Sequence, residues 1–217
     1  MGIKYVVLSA DEIEAKRQIE MAKTYMETTK EAYALVIRKG SFTEYVLQKD
    51  ENSGLDLCRE TAISVVADNI EPDAVIVSTT GMISRELFEH RLSAGQGHEH
   101  DFLTVGSMGH ASQIALGIAL QKKSKRIYCF DGDGAAIMHM GSMAITASMH
   151  PTNYVHVIFN NGAHDSVGGQ PTVGLKMNWV EIAEAVGYKQ AFSVSSDTEL
   201  VDAIKHSGKS DGPILIE

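Results

Sequence analysis

Apolar positions along the chain switch repeatedly between two spacings, and the switches define the elements. Short apolar runs at Ala74–Val77, Ile127–Phe130, Tyr154–Phe159, Lys189–Val194 and Ile214–Ile216 read as strands. Between them Leu57–Ala67, Ser84–Arg91, Ala111–Gln121, a stretch from about Ala136 to Met149, Trp179–Val186 and Glu199–His206 read as helices. Alternation of this kind, with strands that are apolar almost throughout, predicts an α/β fold. The expected sheet is doubly wound and mostly parallel, with helices on both faces. Ser93–Ser107 reads as a Gly- and His-rich loop with a short apolar break at Phe102–Val105, and a long polar loop is expected from Phe159 through Gly174.

The front of the chain repeats the alternation on a smaller scale. Tyr5–Leu8 and Tyr33–Ile37 read as strands flanking a helix in "SADEIEAKRQIEMAKTYMETTK". Ser9 and Glu12 match the S-x-x-E capping box, and Ile13, Ala15–Lys16, Ile19, Ala22 and Met26 form an amphipathic stripe. The polar "QKDENSG", Gln48 to Gly54, has the composition of a linker. The expected division is a β-α-β segment over residues 1–50, the tail of a preceding domain plus linker, and a larger domain over 51–217. The final "GPILIE" is a strand, which fits one domain or subunit of a larger enzyme.

Composition narrows the partners more than the fold. The 217 residues are 44% hydrophobic and 22% charged, ordinary for a globular chain, and the net charge of −9 disfavours nucleic acid and anionic membrane surfaces. Cys58 and Cys129 make neither a disulfide framework nor a metal-spaced set, and Cys129 in a strand reads as a small core residue. The sequence has no apolar run of membrane-spanning length and no signal-peptide plan at its start, so the expected location is the cytoplasm.

The candidate chemistry sits in "FDGDGAAI", Phe130 to Ile137, a strand-to-helix turn of the kind that cradles phosphates. Ile137 stands where a dinucleotide fingerprint needs its third glycine, no acidic residue follows roughly 20 positions on, and the phosphate-loop pattern ending in Gly-Lys is absent. A carboxylate beside a phosphate is tolerable when a divalent cation lies between them. Mg²⁺ takes about six oxygens, so Asp133 needs a second donor from a neighbouring strand end. Asn160 and Asn161 supply it directly after Tyr154–Phe159. Residues 135 to 159, 25 positions, separate the two turns, the length of one helix and one returning strand.

A GDG turn followed at this spacing by NN resembles the motif of the thiamine diphosphate enzymes. The resemblance implies that Asp133, the side chain of Asn161 and the backbone carbonyl of Ala163 bind Mg²⁺, while Gly132, Gly134 and the Ala135 N–H face the diphosphate. It implies further that Gly106, Ser107 and Met108, in "FLTVGSMGHASQIALG", lie along the aminopyrimidine, with the Gly106 carbonyl accepting from the 4′-amine and Met108 forcing the bent cofactor shape. "VSTTGMISRELFE" resembles the turn beside the diphosphate, with Thr80 and Gly81 as contacts; Met82 stands there in place of a basic residue. Among the 2-oxo acid decarboxylases of this family, "TGMISRELFE", "FNNGAHDSVGGQPTVG" and "ALVIRKGSF" resemble phosphonopyruvate decarboxylases, and more distantly the β-type subunit of sulfopyruvate decarboxylase.

That resemblance carries a partner with it. The glutamate that such enzymes place against the cofactor's N1′ comes from a pyrimidine-binding domain, and no matching segment is present. The expectation is therefore the diphosphate-binding half of a decarboxylase, active only in a homo- or hetero-oligomer; the alternatives are a sulfopyruvate decarboxylase β-type subunit and a non-catalytic cofactor-binding fragment. His164 is expected to line the substrate side, while His98 and His100 read as loop surface and Met138, Met140, Met143 and Met149 as a core helix.

Overall fold

The computed structural model describes residues 2–43 and 56–217, so the expected linker at Gln48–Gly54 lies outside the described residues. The chain divides into two compact units, residues 1–51 and 52–217. In the first, β1 (Lys4–Val7) and β2 (Tyr33–Val36) pair in parallel and are joined by α1 (Glu12–Thr29). The cap of α1 differs from the expected one. Asp11, not Ser9, is the N-cap and accepts from the Glu14 N–H at 2.9 Å, because the aspartate stands closer to the first helical turn; Ser9 Oγ accepts from the Asp11 N–H instead. Of the helix stripe only Ala22 is buried, and Ile13 is 81% exposed.

The second unit continues with α2 (Arg59–Asn69), β3 (Val75–Ser78), α3 (Met82–Ser93), β4 (Asp101–Leu103), α4 (Ala111–Gln121), β5 (Ile127–Gly132), α5 (Asp133–Met138), α6 (Gly141–Ser148) and β6 (Tyr154–Phe159). After it come β7 (Ala163–His164), β8 (Gln170–Pro171), α7 (Trp179–Val186), β9 (Gln190–Phe192), α8 (Asp197–Ser207) and β10 (Ile214–Ile216), with 3₁₀ turns at Asp165–Val167 and Gly174–Lys176. Six strands form one parallel sheet in the order β4-β3-β5-β6-β10-β9, and β7 pairs with β8 antiparallel.

The period-2 alternation of the central strands divides the core into two layers. Tyr128 and Phe130 of β5, with Val155 and Val157 of β6, pack under α2, α3 and α8 through Ile63, Leu87 and Ile204. Ile127 and Cys129, with Tyr154 and Ile158, pack under α4, α6 and α7 through Ala115, Met143 and Trp179. Both faces are therefore covered, as continuous apolar strands require. The chain leaves β3 for one edge and β5 for the other, so β3 and β5 flank the point where winding reverses. Open α/β sheets bind ligands outside the strand ends at such a point.

Three expected elements come out differently. The loop predicted over Ser93–Ser107 contains the edge strand β4, which is only three residues long and has one neighbour, too little to leave a periodic signature. The polar loop after Phe159 contains the β7–β8 pair. The helix expected from Ala136 to Met149 is two helices broken at His139, whose backbone (φ −129°, ψ 41°) leaves the helical region while its ring meets that of His110 edge-on at 4.5 Å. The break turns Met138, Met140 and Met149 outward and leaves only Met143 buried, so these methionines are not one core stripe.

Candidate functional site

The carboxyl ends of β3, β5 and β6 bring the motif residues together. At the end of β3, the Thr80 hydroxyl oxygen accepts from the Gly106 N–H at 3.1 Å, joining two segments that the sequence separates by 26 positions. Gly81 caps α3 at φ +101°, a conformation that favours glycine, and a Cβ there would sit 3.4 Å from Ser166. Gly106, Ser107 and Gly109 all have positive φ (+74°, +50° and +82°), so this turn is tightly wound. A Cβ on Gly109 would stand 2.9 Å from the Ala135 carbonyl oxygen, which places the turn directly against the start of α5.

Gly134 is the meeting point of three predicted residues. A Cβ on it would lie 2.5 Å from His164 Cε1 and 3.3 Å from Met108 Cε, so Met108 and His164 both face the glycine turn. Gly132 ends β5 and forms the N-cap of α5, and Ala135 is buried one turn into it. The structure thus gathers Thr80, Gly81, Gly106, Met108, Gly134 and His164 around one strand-end crevice. Ser107 is exposed at its rim.

Asp133 is buried at the start of α5, and that burial raises its pKa from the usual carboxylate value. The Thr172 hydroxyl, the Gly134 and Asp133 N–H groups and the neighbouring His164 oppose the shift. The Thr172 hydroxyl donates to Asp133 Oδ2. Close by lies Asn160 Oδ1, a buried oxygen with no hydrogen-bond donor. A Cβ on Gly174 would overlap Asp133 Oδ2 and stand 2.5 Å from Asn160 Oδ1, so both oxygens border the same point. A buried carboxylate beside an orphaned amide oxygen is a hard donor set, and it fits a divalent cation. Asn161 is oriented differently, with its Oδ1 accepting from the Ala163 N–H at 3.0 Å and its Nδ2 donating to Asp165 Oδ2 at 2.8 Å.

Asp165 links this turn to the helices. Its Oδ2 also accepts from Arg59 Nη1 at 2.6 Å, and the same guanidinium makes a two-pronged pair with Glu86 at 2.7 and 2.9 Å. The Glu86 hydrogen bond, reinforced by Asp165, holds the Arg59 pKa above its ordinary value. A cavity of about 450 Å³ on this side is bordered by Arg59, Glu86, Asn160, Asn161, Asp165 and Glu217. Carboxylates outnumber the cation in this set.

Gly174 has no space for a side chain, which gives the first prediction. Gly174→Ala is expected to destabilise the metal-free chain by about 1–3 kcal/mol through overpacking against Asp133 and Asn160, as read by urea unfolding. A change below about 0.5 kcal/mol would show that the 172–174 turn yields freely, as surface positions do.

Asp131, the other carboxylate of this stretch, takes no part in the turn. It points into the sheet, fully buried, where its Oδ2 lies 3.0 Å from His156 Nε2 and 3.7 Å from Cys129 Sγ. His156 Nδ1 in turn meets the Tyr188 hydroxyl at 3.2 Å. Burial, then the nearby Asp131, pushes the Cys129 thiol well above its ordinary pKa. The sequence carried the signal: Cys129 and Asp131 are two apart on β5, and Cys129 pairs with His156 in the adjacent strand, so all three share one face. Among the described residues this is the one group of three potential metal-binding side chains, within 4.8 Å of one another. The hydrogen bonds make it a polar knot in the core. His98 lies in the loop before β4, as expected, and stacks on Phe88 at 4.3 Å.

A family profile described as thiamine pyrophosphate enzyme, C-terminal TPP binding domain, matches residues 79–217. Over 158 residues the chain is 37% identical to a phosphonopyruvate decarboxylase of Streptomyces hygroscopicus, covering 73% of this chain and 38% of that protein. Over 162 residues it is 30% identical to the sulfopyruvate decarboxylase subunit beta of Methanococcus maripaludis, covering 75% of this chain and 83% of that subunit. A crystal structure of benzoylformate decarboxylase from Polynucleobacter necessarius superposes with a TM-score of 0.63 at 16% identity, over 94% of this chain and 38% of that one, a likeness of fold.

Proposed function

The chain belongs to the thiamine pyrophosphate enzymes, and from that membership we propose that it is the diphosphate- and Mg²⁺-binding half of a 2-oxo acid decarboxylase. The leading substrate is 3-phosphonopyruvate, converted to phosphonoacetaldehyde and CO₂. The observation that carries the reading is the convergence of Thr80, Gly106, Met108, Gly134 and His164 beside the buried Asp133.

When bound, thiamine diphosphate supplies a nucleophilic carbon for the ketone and an electron sink for the pair left by CO₂. The chain's own residues bind and orient. Asp133, with the Asn161 side chain and the Ala163 carbonyl, would hold the cation that offsets the diphosphate charge, and Gly132, Gly134 and Ala135 would leave room for close backbone approach. Met108, against Gly134, sets the shape of the space above the turn. His164 presents an imidazole to the same space as a polar contact for substrate. In the net reaction the C1–C2 bond breaks, CO₂ leaves, and C2 takes up one proton. The activating glutamate belongs to a pyrimidine-binding domain, so the working unit is an oligomer.

A second reading has its own support. The chain is also 30% identical to the Methanococcus sulfopyruvate decarboxylase subunit beta over 162 residues, which supports a β-type subunit acting on sulfopyruvate. Steady-state assay of the chain together with a pyrimidine-binding domain, on phosphonopyruvate, sulfopyruvate and pyruvate, decides between them. The expected result is highest kcat/KM on phosphonopyruvate and none for the chain alone. Preference for sulfopyruvate would move the assignment to the second reading, and full activity without a partner would overturn the half-site proposal. No helix of the described residues is long and apolar enough to cross a membrane.

A further inference from the structure

The turn that returns over Asp133 carries a hydroxyl whose direction is set from both sides. The Gly174 N–H donates to Thr172 Oγ1 at 3.0 Å, and an N–H has no other role to play in that bond. The Thr172 proton is thereby directed onward to Asp133 Oδ2. The Thr172 backbone is fixed as well, since its N–H donates to the Gly162 carbonyl at 2.7 Å, just past the two asparagines.

Asn160 fastens the far side of the same turn. Its Nδ2 donates to the Gly174 carbonyl at 3.1 Å and to Glu217 Oε1 at 2.7 Å. Gly174 is thus held by its N–H through Thr172 and by its carbonyl through Asn160, with no room for a Cβ. The ends of β5 and β6 and the turn after β8 all close on one carboxylate. Nothing in residue spacing pointed to Thr172, which is 39 positions from Asp133.

We propose that Thr172 is a positioning residue for the cation carboxylate: its hydroxyl fixes Asp133 Oδ2 beside the bare Asn160 Oδ1, while Asn160 Nδ2 clamps the turn that carries it. The proposal rests on the cation reading of Asp133. It also separates the two asparagines: Asn160 fastens the turn through Nδ2, while Asn161 is held by the Ala163 N–H and Asp165. Partners in a metal's outer shell fix the orientation of its ligands, and losing one weakens metal affinity by roughly 10–100-fold.

The test is Mn²⁺ titration of the full chain by electron paramagnetic resonance in the presence of thiamine diphosphate, Mn²⁺ being an oxygen-seeking stand-in for Mg²⁺. Thr172→Val keeps the shape and removes the hydroxyl, and it should weaken Mn²⁺ binding about 10-fold or more. Thr172→Ser restores the hydroxyl and should bind as the wild type does. If Thr172→Val fails to fold, Thr172→Ala gives the same reading. Wild-type affinity in the valine variant, or equal weakening in valine and serine variants, overturns the positioning role and leaves the cofactor proposal standing. Absence of thiamine diphosphate-dependent Mn²⁺ binding in the wild type removes both.

Discussion

Asp133→Ala is expected to abolish Mg²⁺-dependent binding of thiamine diphosphate while leaving the metal-free chain as stable as the wild type or more so. The two halves of this result have one cause. Asp133 is a buried carboxylate whose pKa burial raises, so without a cation the folded state opposes its ionisation. A folded pKa above the unfolded one gives a contribution that is present below the ordinary carboxylate range and lost as pH rises through the raised value. At neutral pH the metal-free fold therefore carries Asp133 at a cost, and alanine removes it.

A bound cation reverses the sign, because charge and coordination then favour the carboxylate. Loss of a direct ligand should exceed the roughly 10–100-fold effect of losing an outer-shell partner. Calorimetry reads the binding, and thermal melts read the linkage. Ligand at about 100 times its Kd adds close to 2.7 kcal/mol to the wild type, and the variant should gain none of it. Equal stabilisation of both proteins would remove Asp133 from the cation site. A variant that melts well below the metal-free wild type would show that its hydrogen bonds with Thr172 and the backbone outweigh burial.

The second large effect lies in the core. His156→Leu removes the imidazole 3.0 Å from Asp131 Oδ2 and leaves a fully buried carboxylate whose Oδ1 already has no donor. Removing one partner of a buried pair costs about 3–5 kcal/mol, since the group left behind is uncompensated. Urea unfolding measures it. The double replacement Asp131→Leu with His156→Leu removes both polar groups and should cost less than the sum of the single changes, the sign of direct coupling. Strict additivity would show that the two do not work as a pair. Cys129, 3.7 Å from Asp131, is the weak donor that remains in the single variant.

Much of this molecule is legible in its sequence. β6, α4, α7 and β10 fall where apolar periodicity put them, since each is long enough or apolar enough to carry its own pattern. The motif turns were legible for a related reason. A helix and a strand of ordinary length between Gly134 and Asn160 return the chain to the same sheet edge, and β5 and β6 do pair in parallel. Elements whose existence depends on neighbours were not legible. β4 is an edge strand of three residues, and α5 and α6 separate at His139 through contacts with Gly109 and His110 that lie about 30 positions upstream.

The α/β alternation, the order of the elements, and the placement of GDG and NN at adjacent strand ends can be read from the chain alone. Those follow from local periodicity and chain length, which set where a backbone can be. Which side chains meet is set by packing across the fold: Thr172 on Asp133, Asn160 clamping Gly174, Asn161 turned to Asp165, and Asp131 facing His156 inside the sheet. A strand end fixes a Cα, but a carboxylate or amide still chooses among rotamers. That choice is made by donors and acceptors arriving from residues 4 to 39 positions away.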